Sequence, residues 1–326
     1  RANAAEAEAW SAFQEFHRRE LDLTAKTRMA YFQLINADKQ LELTRKNIAL
    51  LKQFSEITRT KYEVGAQSQA DVLQVETEQG KLEETVFDFQ RQISDAQTQL
   101  NTLMNRPAQS PVALPAAGNF PTNEVSWEKI EAFALANRPE LFIAQRKIEA
   151  AKARLELARR DWWPDPTFRI EADRYNQASQ VASELIVGVS INMPWFNRKK
   201  YDAAIHENKK MLESAEHDLD AAHTETLGIV KNALKKVETF HHHSDLFRAK
   251  LIPLAQETLN SKRLNYETDK ANFLDLLTAQ RTLREVESMY WNHVTEYQIA
   301  VAELEALIGG KINFQNPTIE KTQEKK

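Results

Sequence analysis

The chain contains no cysteine, which excludes a disulfide framework and any thiolate metal site. That absence is compatible with an oxidising compartment. Only seven glycines occur in 326 residues, and few of them interrupt the long tracts, which favours long helices over a loop-rich enzyme. No run of about 18 apolar residues exists, so no membrane-spanning helix is expected. Neither sign of charge dominates: 43 Lys and Arg stand against 47 Asp and Glu, mixed along the chain, and no basic face points to nucleic acid. A G-x-S-x-G elbow, an H-E-x-x-H helix, a phosphate loop and a dinucleotide fingerprint are all missing, so an enzyme is not expected. The chain opens at RANAAEAEAW, without an initiator Met or a signal h-region, and reads as processed or truncated.

What is present is a long, duplicated helical pattern. Residues 1 to about 64 contain neither proline nor glycine and read as one helix, and residues 69–105 as a second, ended by NRPAQSP. At about 1.5 Å per residue the first spans on the order of 95 Å, and needs partner helices to bury its stripe. On the second helix Val72, Val75, Gln79, Leu82, Val86, Phe89, Ile93, Ala96, Leu100 and Leu103 follow alternating steps of three and four, a heptad seam. Shifting by the distance from Tyr62 to Tyr266 brings Leu276, Ala279, Leu283, Val286, Tyr290, His293, Tyr297, Ala300, Leu304 and Leu307 into the same register. A strict seven-residue period implies a left-handed supercoil. The long arm repeats as 199–268, with Lys46 matching Lys250 and Arg59 matching Arg263, and Pro253 is expected to kink it.

Between the arms of each repeat lies a turn, TKYEVGAQSQADVL in the first and LNYETDKANFLDLL in the second. Ser68 and Asn272 are suited to cap the following helix, each with a carboxylate, Asp71 or Asp275, three residues on. Gly65 supplies a permissive backbone in the first turn, and Asp269 takes its place in the second.

The middle of the chain changes character. Residues 106–138 read as a connector with a short helix near Trp127 to Asn137, and 139–163 as a helix with Pro139 in its first turn, stopped by DWWPDP. Within 164–196, Phe168, Ile170 and Ala172 alternate with Arg169, Glu171 and Asp173. Leu185, Val187, Val189, Ile191 and Met193 alternate with Ile186, Gly188, Ser190 and Asn192. This is a β-hairpin with one apolar face. Such strands, bracketed by Trp162, Trp163, Tyr175 and Trp195, fit the wall of a transmembrane barrel that several chains would close. A half-buried hairpin of a soluble protein fits the alternation too. The fold class expected is therefore mainly α with a small β part: long hairpins at 1–105 and 197–310, the β-hairpin between them, and a polar tail at 311–326 whose EKTQEKK end reads as disordered.

In order and spacing, RTKYEVGAQSQADVL, ALANRPEL, WWPDPTF and INMPWFNRKKYDAA resemble the TolC-like outer-membrane channels of tripartite efflux pumps. Together with the duplication they cover nearly the whole chain, and MPWFNR is most similar to the heavy-metal branch. The resemblance implies a homotrimer in the bacterial outer membrane, with a helical α-barrel tunnel in the periplasm and a β-barrel in lipid. The partners implied are a periplasmic adaptor and, indirectly, an inner-membrane transporter that supplies energy. Arg1 matches about Ile205, so a strand pair that the family carries earlier is expected to be absent from this chain. The adaptor-contacting tips would be Val64, Gly65 and Ala66, with Thr268, Asp269 and Lys270 departing from the family's Val-Gly pattern. Tyr266 and Asp275 match gate positions, Asp71 is a lesser candidate, and Thr278 stands where a further gate carboxylate occurs. Asp71 and Asp275 are also fully explained as helix-start carboxylates.

No cofactor and no metal site is expected. Adjacent residues of a helix point apart, so His241, His242 and His243 do not converge on one ion. His217 and His223 with Asp220 offer weak ligation at best, and His293, in the place of Phe89, reads as a packed seam residue. The reading is a passive export duct for metals, drugs or proteins. A soluble coiled-coil scaffold or adaptor is its rival.

Overall fold

The computed structural model describes residues 2–113, 126–177, 180–268, 270–313 and 318–321. Helices α1 (Ala2–Glu63) and α2 (Gln69–Leu103) form the first hairpin, followed by α3 (Trp127–Asn137) and α4 (Pro139–Arg160). Strands β1 (Pro166–Gln177) and β2 (Gln180–Ile191) come next. A short 3-10 turn at Pro194–Asn197 leads into α5 (Arg198–Leu246), and α6 (Ile252–Glu267) and α7 (Phe273–Ile308) complete the second hairpin. The chain is mainly helical with a small β part.

The second long arm is continuous in helical backbone but changes type just before Pro253. Between α5 and α6, Phe247–Leu251 form a π-helical turn, closed by the N–H of Ile252 on the carbonyl of Phe247. Proline has no N–H to donate and its ring crowds the carbonyl four residues earlier. Here Pro253 sits at the start of α6, and the widened turn just before it takes up the misfit. The tail also differs from expectation. β3 (Gly310–Asn313) pairs antiparallel with β4 (Thr318–Lys321), so Glu320 and Lys321 are strand residues. The buried Glu305 draws β3 onto α7 by accepting the N–H of Ile312 at 2.8 Å. The rest of the EKTQEKK segment, 322–326, lies outside the described residues.

Two compact units divide the chain. The first holds residues 1–18 and 139–225. In it α4 buries Ala144, Ile148, Ala151, Leu155 and Ala158, a stripe at helical spacing. Arg146 stacks over the Trp10 ring at 5.6 Å, and Arg154 donates to Glu8. The β-hairpin pairs Phe168 with Val189, Ile170 with Val187 and Ala172 with Leu185, which puts its apolar residues on one face. That face is bare: Phe168 and Ile170 are 75% exposed, and Leu185 and Val187 are 68%. Among the described residues no helix covers it. Asn192 accepts the N–H of Asp165 at 2.5 Å at the base of the strands. Trp162 meets Tyr201 edge-on at 6.1 Å there, and Trp163, Trp195 and Phe196 are exposed. The side chain of Tyr175 lies outside the described residues.

The second unit holds residues 19–138 and 226–326. Near the turns, Leu51 and Phe54 of α1, Val75 and Leu82 of α2, Leu259 and Tyr266 of α6, and Phe273, Leu276, Leu277 and Leu283 of α7 form one core. Each such side chain contributes about 1.5–3 kcal/mol on burial. A second core joins Ile130 and Ala134 of α3 to Val230, Leu234, Tyr297, Leu304 and Ile308. Between α1 and α7 runs a polar ladder: Asn36 to Asn292 at 3.0 Å, Gln40 to the carbonyl of Ser288 at 3.0 Å, and Gln280 to Asn47 at 2.6 Å. Arg28 of α1 pairs with Glu305 of α7, and the buried Glu78 of α2 takes Arg281 at 2.5 Å and Arg284 at 3.5 Å from α7. Gln40, Asn47 and Gln280 are buried, and buried amides are costly unless paired, so their bonds favour one register of α1 on α7 where an apolar seam alone tolerates slippage.

Candidate functional site: the two helical turns

Both turns begin with the same closure. In the first, the N–H of Ala66 reaches the carbonyl of Lys61 at 2.8 Å and that of Gly65 the carbonyl of Tyr62 at 2.9 Å. This is a Schellman ending with Gly65 left-handed at φ +76°. In the second, the N–H of Lys270 reaches the carbonyl of Asn265 at 2.8 Å, the equivalent bond. Thr268 adds its hydroxyl to the carbonyls of Leu264 and Asn265, while Asp269 lies outside the described residues. Val64 is 75% exposed, and Gly65, Ala66 and Lys270 are exposed with it.

The helices that leave the turns start alike too. The hydroxyl of Ser68 accepts the N–H of Asp71 at 3.3 Å, and the side chain of Asn272 accepts that of Asp275 at 2.8 Å. Each satisfies one of the open donors of a helix start. The carboxylates then part company. Asp71 is held within its own turn, by Ser68 at 2.6 Å and Gln67 at 2.7 Å. Asp275 instead reaches across the second hairpin to Lys262 of α6 at 3.3 Å. Thr278 is exposed and bonds back to the carbonyl of Leu274.

Tyr266 is not a surface residue. It is 2% exposed, lies edge-on to the buried Phe273 at 5.8 Å, and its hydroxyl stands 3.3 Å from the hydroxyl of Thr58. Lys61 of α1 donates to the carbonyl of Tyr266 at 2.7 Å and sits 4.4 Å from its ring centre. The second turn is thus clipped to α1 by a hydroxyl pair, an ammonium–carbonyl bond and a cation–π contact. Thr58, Lys61, Lys262 and Phe273 were not singled out from the sequence. Their only signal was proximity to the turns.

Away from the turns, His293 packs against Phe247 and His243, both at 4.9 Å between ring centres. Burial, and then the neighbouring His243, push its imidazole below the usual 6.5, with Glu296 acting weakly the other way. Tyr297 is pushed up to about 12 by burial and by Asp245. Among the described residues no three His, Cys, Asp or Glu side chains gather as a metal set, and no helix is long and apolar enough to cross a membrane.

The chain thus carries two helical hairpins with capped turns and a strand pair whose apolar face is exposed among the described residues. The family model described as "Outer membrane efflux protein" matches residues 1–106 and 133–310, and the chain belongs to that family. It is an outer-membrane efflux protein and not an enzyme. Its relatives include the cobalt-zinc-cadmium resistance protein CzcC of Cupriavidus metallidurans, 22% identical over 301 residues, with 88% of this chain and 68% of the relative covered. The alkaline protease secretion protein AprF of Pseudomonas aeruginosa is 21% identical, with 85% of this chain and 59% of that protein covered. Among solved structures, the outer-membrane channel OprN has a TM-score of 0.80 at 19% identity, covering 96% of this chain and 71% of its own. CusC has a TM-score of 0.80 at 17% identity, covering 95% and 74%. The chain spans 59% to 68% of the length of the curated relatives it matches.

Proposed function

We propose that this protein is the exit duct of a tripartite efflux pump, that three copies of it close one channel, and that its helical turns meet a periplasmic adaptor and gate the tunnel. The observation that carries this reading is the bare apolar face of β1–β2. Two strands are marginal alone, and an uncovered apolar face with polar alternation requires both a lipid surround and strands from other copies. Transport is passive, since no phosphate loop exists to bind a nucleotide, and an inner-membrane transporter supplies the energy. The exposed Val64, Gly65, Ala66, Thr268 and Lys270, together with Asp269, form the adaptor-contacting tips. Tyr266 and Asp275 act as gate residues, with Asp71 in a lesser role. Opening requires the second turn to leave α1, which breaks the Tyr266–Thr58 and Lys61–Tyr266 contacts and leaves Lys262–Asp275 to travel with the hairpin. The cargo is a heavy-metal cation, a reading supported by the similarity to the cobalt-zinc-cadmium resistance protein CzcC.

Light scattering of the detergent-solubilised particle, corrected for bound detergent, is expected to give three copies. A stable monomer needing no detergent would sink the duct reading. In planar bilayers the full-length channel with Tyr266→Phe is expected to open more often than the parent, and unchanged conductance would remove Tyr266 from the gate. Loss of the gene is expected to sensitise cells to cobalt, zinc or cadmium, and unaltered sensitivity to all three would refute the cargo.

A further inference from the structure

Midway along α7, a half-open cavity of about 320 Å³ lies between α1, the start of α6 and α7. Leu43, Leu50, Ile252 and Leu283 form its apolar floor, and the rings of Tyr290 and Trp291 stand beside them. Three charged groups of α1 and one of α7 line the same space. Lys39 and Lys46 both donate to Glu42 at 2.7 Å and hold its carboxyl down to about 2. That pairing satisfies the α1 charges among themselves. Glu287 of α7 has no hydrogen-bond or ion-pair partner among the described residues, only the longer-range field of Lys46. A half-buried carboxylate without a partner, beside two aromatic rings and an apolar floor, is an unfilled electrostatic demand.

We propose that this cavity is a binding site for a small amphipathic organic cation, with Glu287 pairing its positive end, the rings of Tyr290 and Trp291 flanking it, and the apolar floor taking its hydrocarbon body. The site lies apart from the turns and requires no assembly of copies, so it stands or falls independently of the duct reading. The occupant is chosen by charge. An anion would meet Glu287 with its partner position empty, and the two lysines that would attract it are already bound to Glu42. A hydrated inorganic cation would leave the apolar floor and both rings unused. Aromatic faces and a desolvated carboxylate together select an organic cation. Lys39 stands 5.7 Å from the Trp291 ring centre and opposes the guest on that side, which leaves the Glu287 side as the entry for the charge.

Binding is expected to depend on pH in one direction. Burial raises the Glu287 carboxyl above its usual range, with Lys46 pulling the other way. The charges facing it from α1 are Lys39, Glu42 and Lys46, whereas α6 presents only Ile252. On α7 itself the nearest cation, Arg284, is committed to Glu78. The guest needs the ionised carboxylate, so affinity falls as pH drops through the raised value.

The test is calorimetric titration of benzyltrimethylammonium into the detergent-solubilised chain, at neutral pH and near pH 5. Expected are one site per protomer and a roughly tenfold loss of affinity in Glu287→Gln, with the pH dependence gone in that variant. Lys46→Met, which removes the opposing charge, is expected to bind several-fold tighter, a gain that misfolding would not produce. Equal binding by parent and Glu287→Gln overturns the proposal. So does equal binding of benzenesulfonate, which signals adsorption to micelle or bare apolar surface. Full displacement by magnesium at equal concentration overturns it as well, because the site would then hold an inorganic ion.

Discussion

Two glycines of this chain share a backbone conformation and differ in their surroundings, which makes them a matched pair for experiment. Gly65 and Gly309 both have φ +76°. A Cβ built on Gly65 meets nothing within 4 Å, whereas one on Gly309 lies 2.7 Å from the carbonyl oxygen of Asn137 and 3.2 Å from its carbon. Both changes to alanine force a left-handed residue to carry a Cβ, at about 1–2 kcal/mol. For Gly65→Ala that is the whole cost. For Gly309→Ala the contact is with backbone, which no rotamer change relieves, so the end of α3 must move off α7. Ile130 and Ala134 then lose contact with Leu304 and Ile308, which share one core, and overpacking of this kind adds about 1–3 kcal/mol. Gly309→Ala is therefore expected to lose about 2–5 kcal/mol in total. The assay is chemical denaturation followed by helical circular dichroism, with both variants and the parent in the same detergent. Equal losses for the two variants would refute the argument that the α3–α7 approach, and not the turn conformation alone, requires glycine at 309. Asp269 stands at the repeat position of Gly65, so Gly65→Asp is expected to be milder than Gly65→Ala, since Asp tolerates the left-handed region better.

Removing the Tyr266 hydroxyl by Tyr266→Phe is expected to cost about 0.5–1 kcal/mol, because Thr58 still donates to the carbonyl of Phe54 at 2.8 Å and is not orphaned. Tyr266→Ala is expected to cost about 3–5 kcal/mol by opening a cavity, and denaturant midpoints of the two variants with Thr58→Val check the pair. His293 predicts a pH effect. Its folded value lies below the unfolded 6.5, so the unfolded chain binds the extra proton and stability declines as pH falls from about 6.5 through the lowered value. His293→Phe, which restores the residue found at Phe89, is expected to flatten thermal midpoints between pH 7.5 and 5, and an unchanged slope would exclude His293 as the cause.

The turns were readable because their chemistry is local. Ser68 with Asp71 and Asn272 with Asp275 are each three residues apart, and the caps they suggest are the caps that form. The strand alternation was readable for the same reason, since side chains two apart share a face. The π-helical turn was not, because Pro253 announces a defect without saying whether the helix bends or widens, and the widening falls on residues before it. In the EKTQEKK tail only Glu320 and Lys321 depart from the polar, unstructured reading, and 322–326 lie outside the described residues. Its pairing rests on Gly310–Asn313 and on Glu305, a buried acid whose role as acceptor for Ile312 is invisible in composition.

The sequence by itself determined the duplicated hairpins, their turns, and the apolar face of β1–β2, since each follows from periodicity or from residues a few positions apart. It could not say which copy of a repeated residue is buried. Tyr62 and Tyr266 occupy equivalent positions, yet Tyr62 is 44% exposed and Tyr266 is 2%. The difference arises because α1 supplies Thr58 and Lys61 to one turn, and among the described residues no equivalent contact reaches Tyr62. Such asymmetry depends on contacts between residues some two hundred positions apart in the chain. Only the packing of α1 on α6 and α7 decides it.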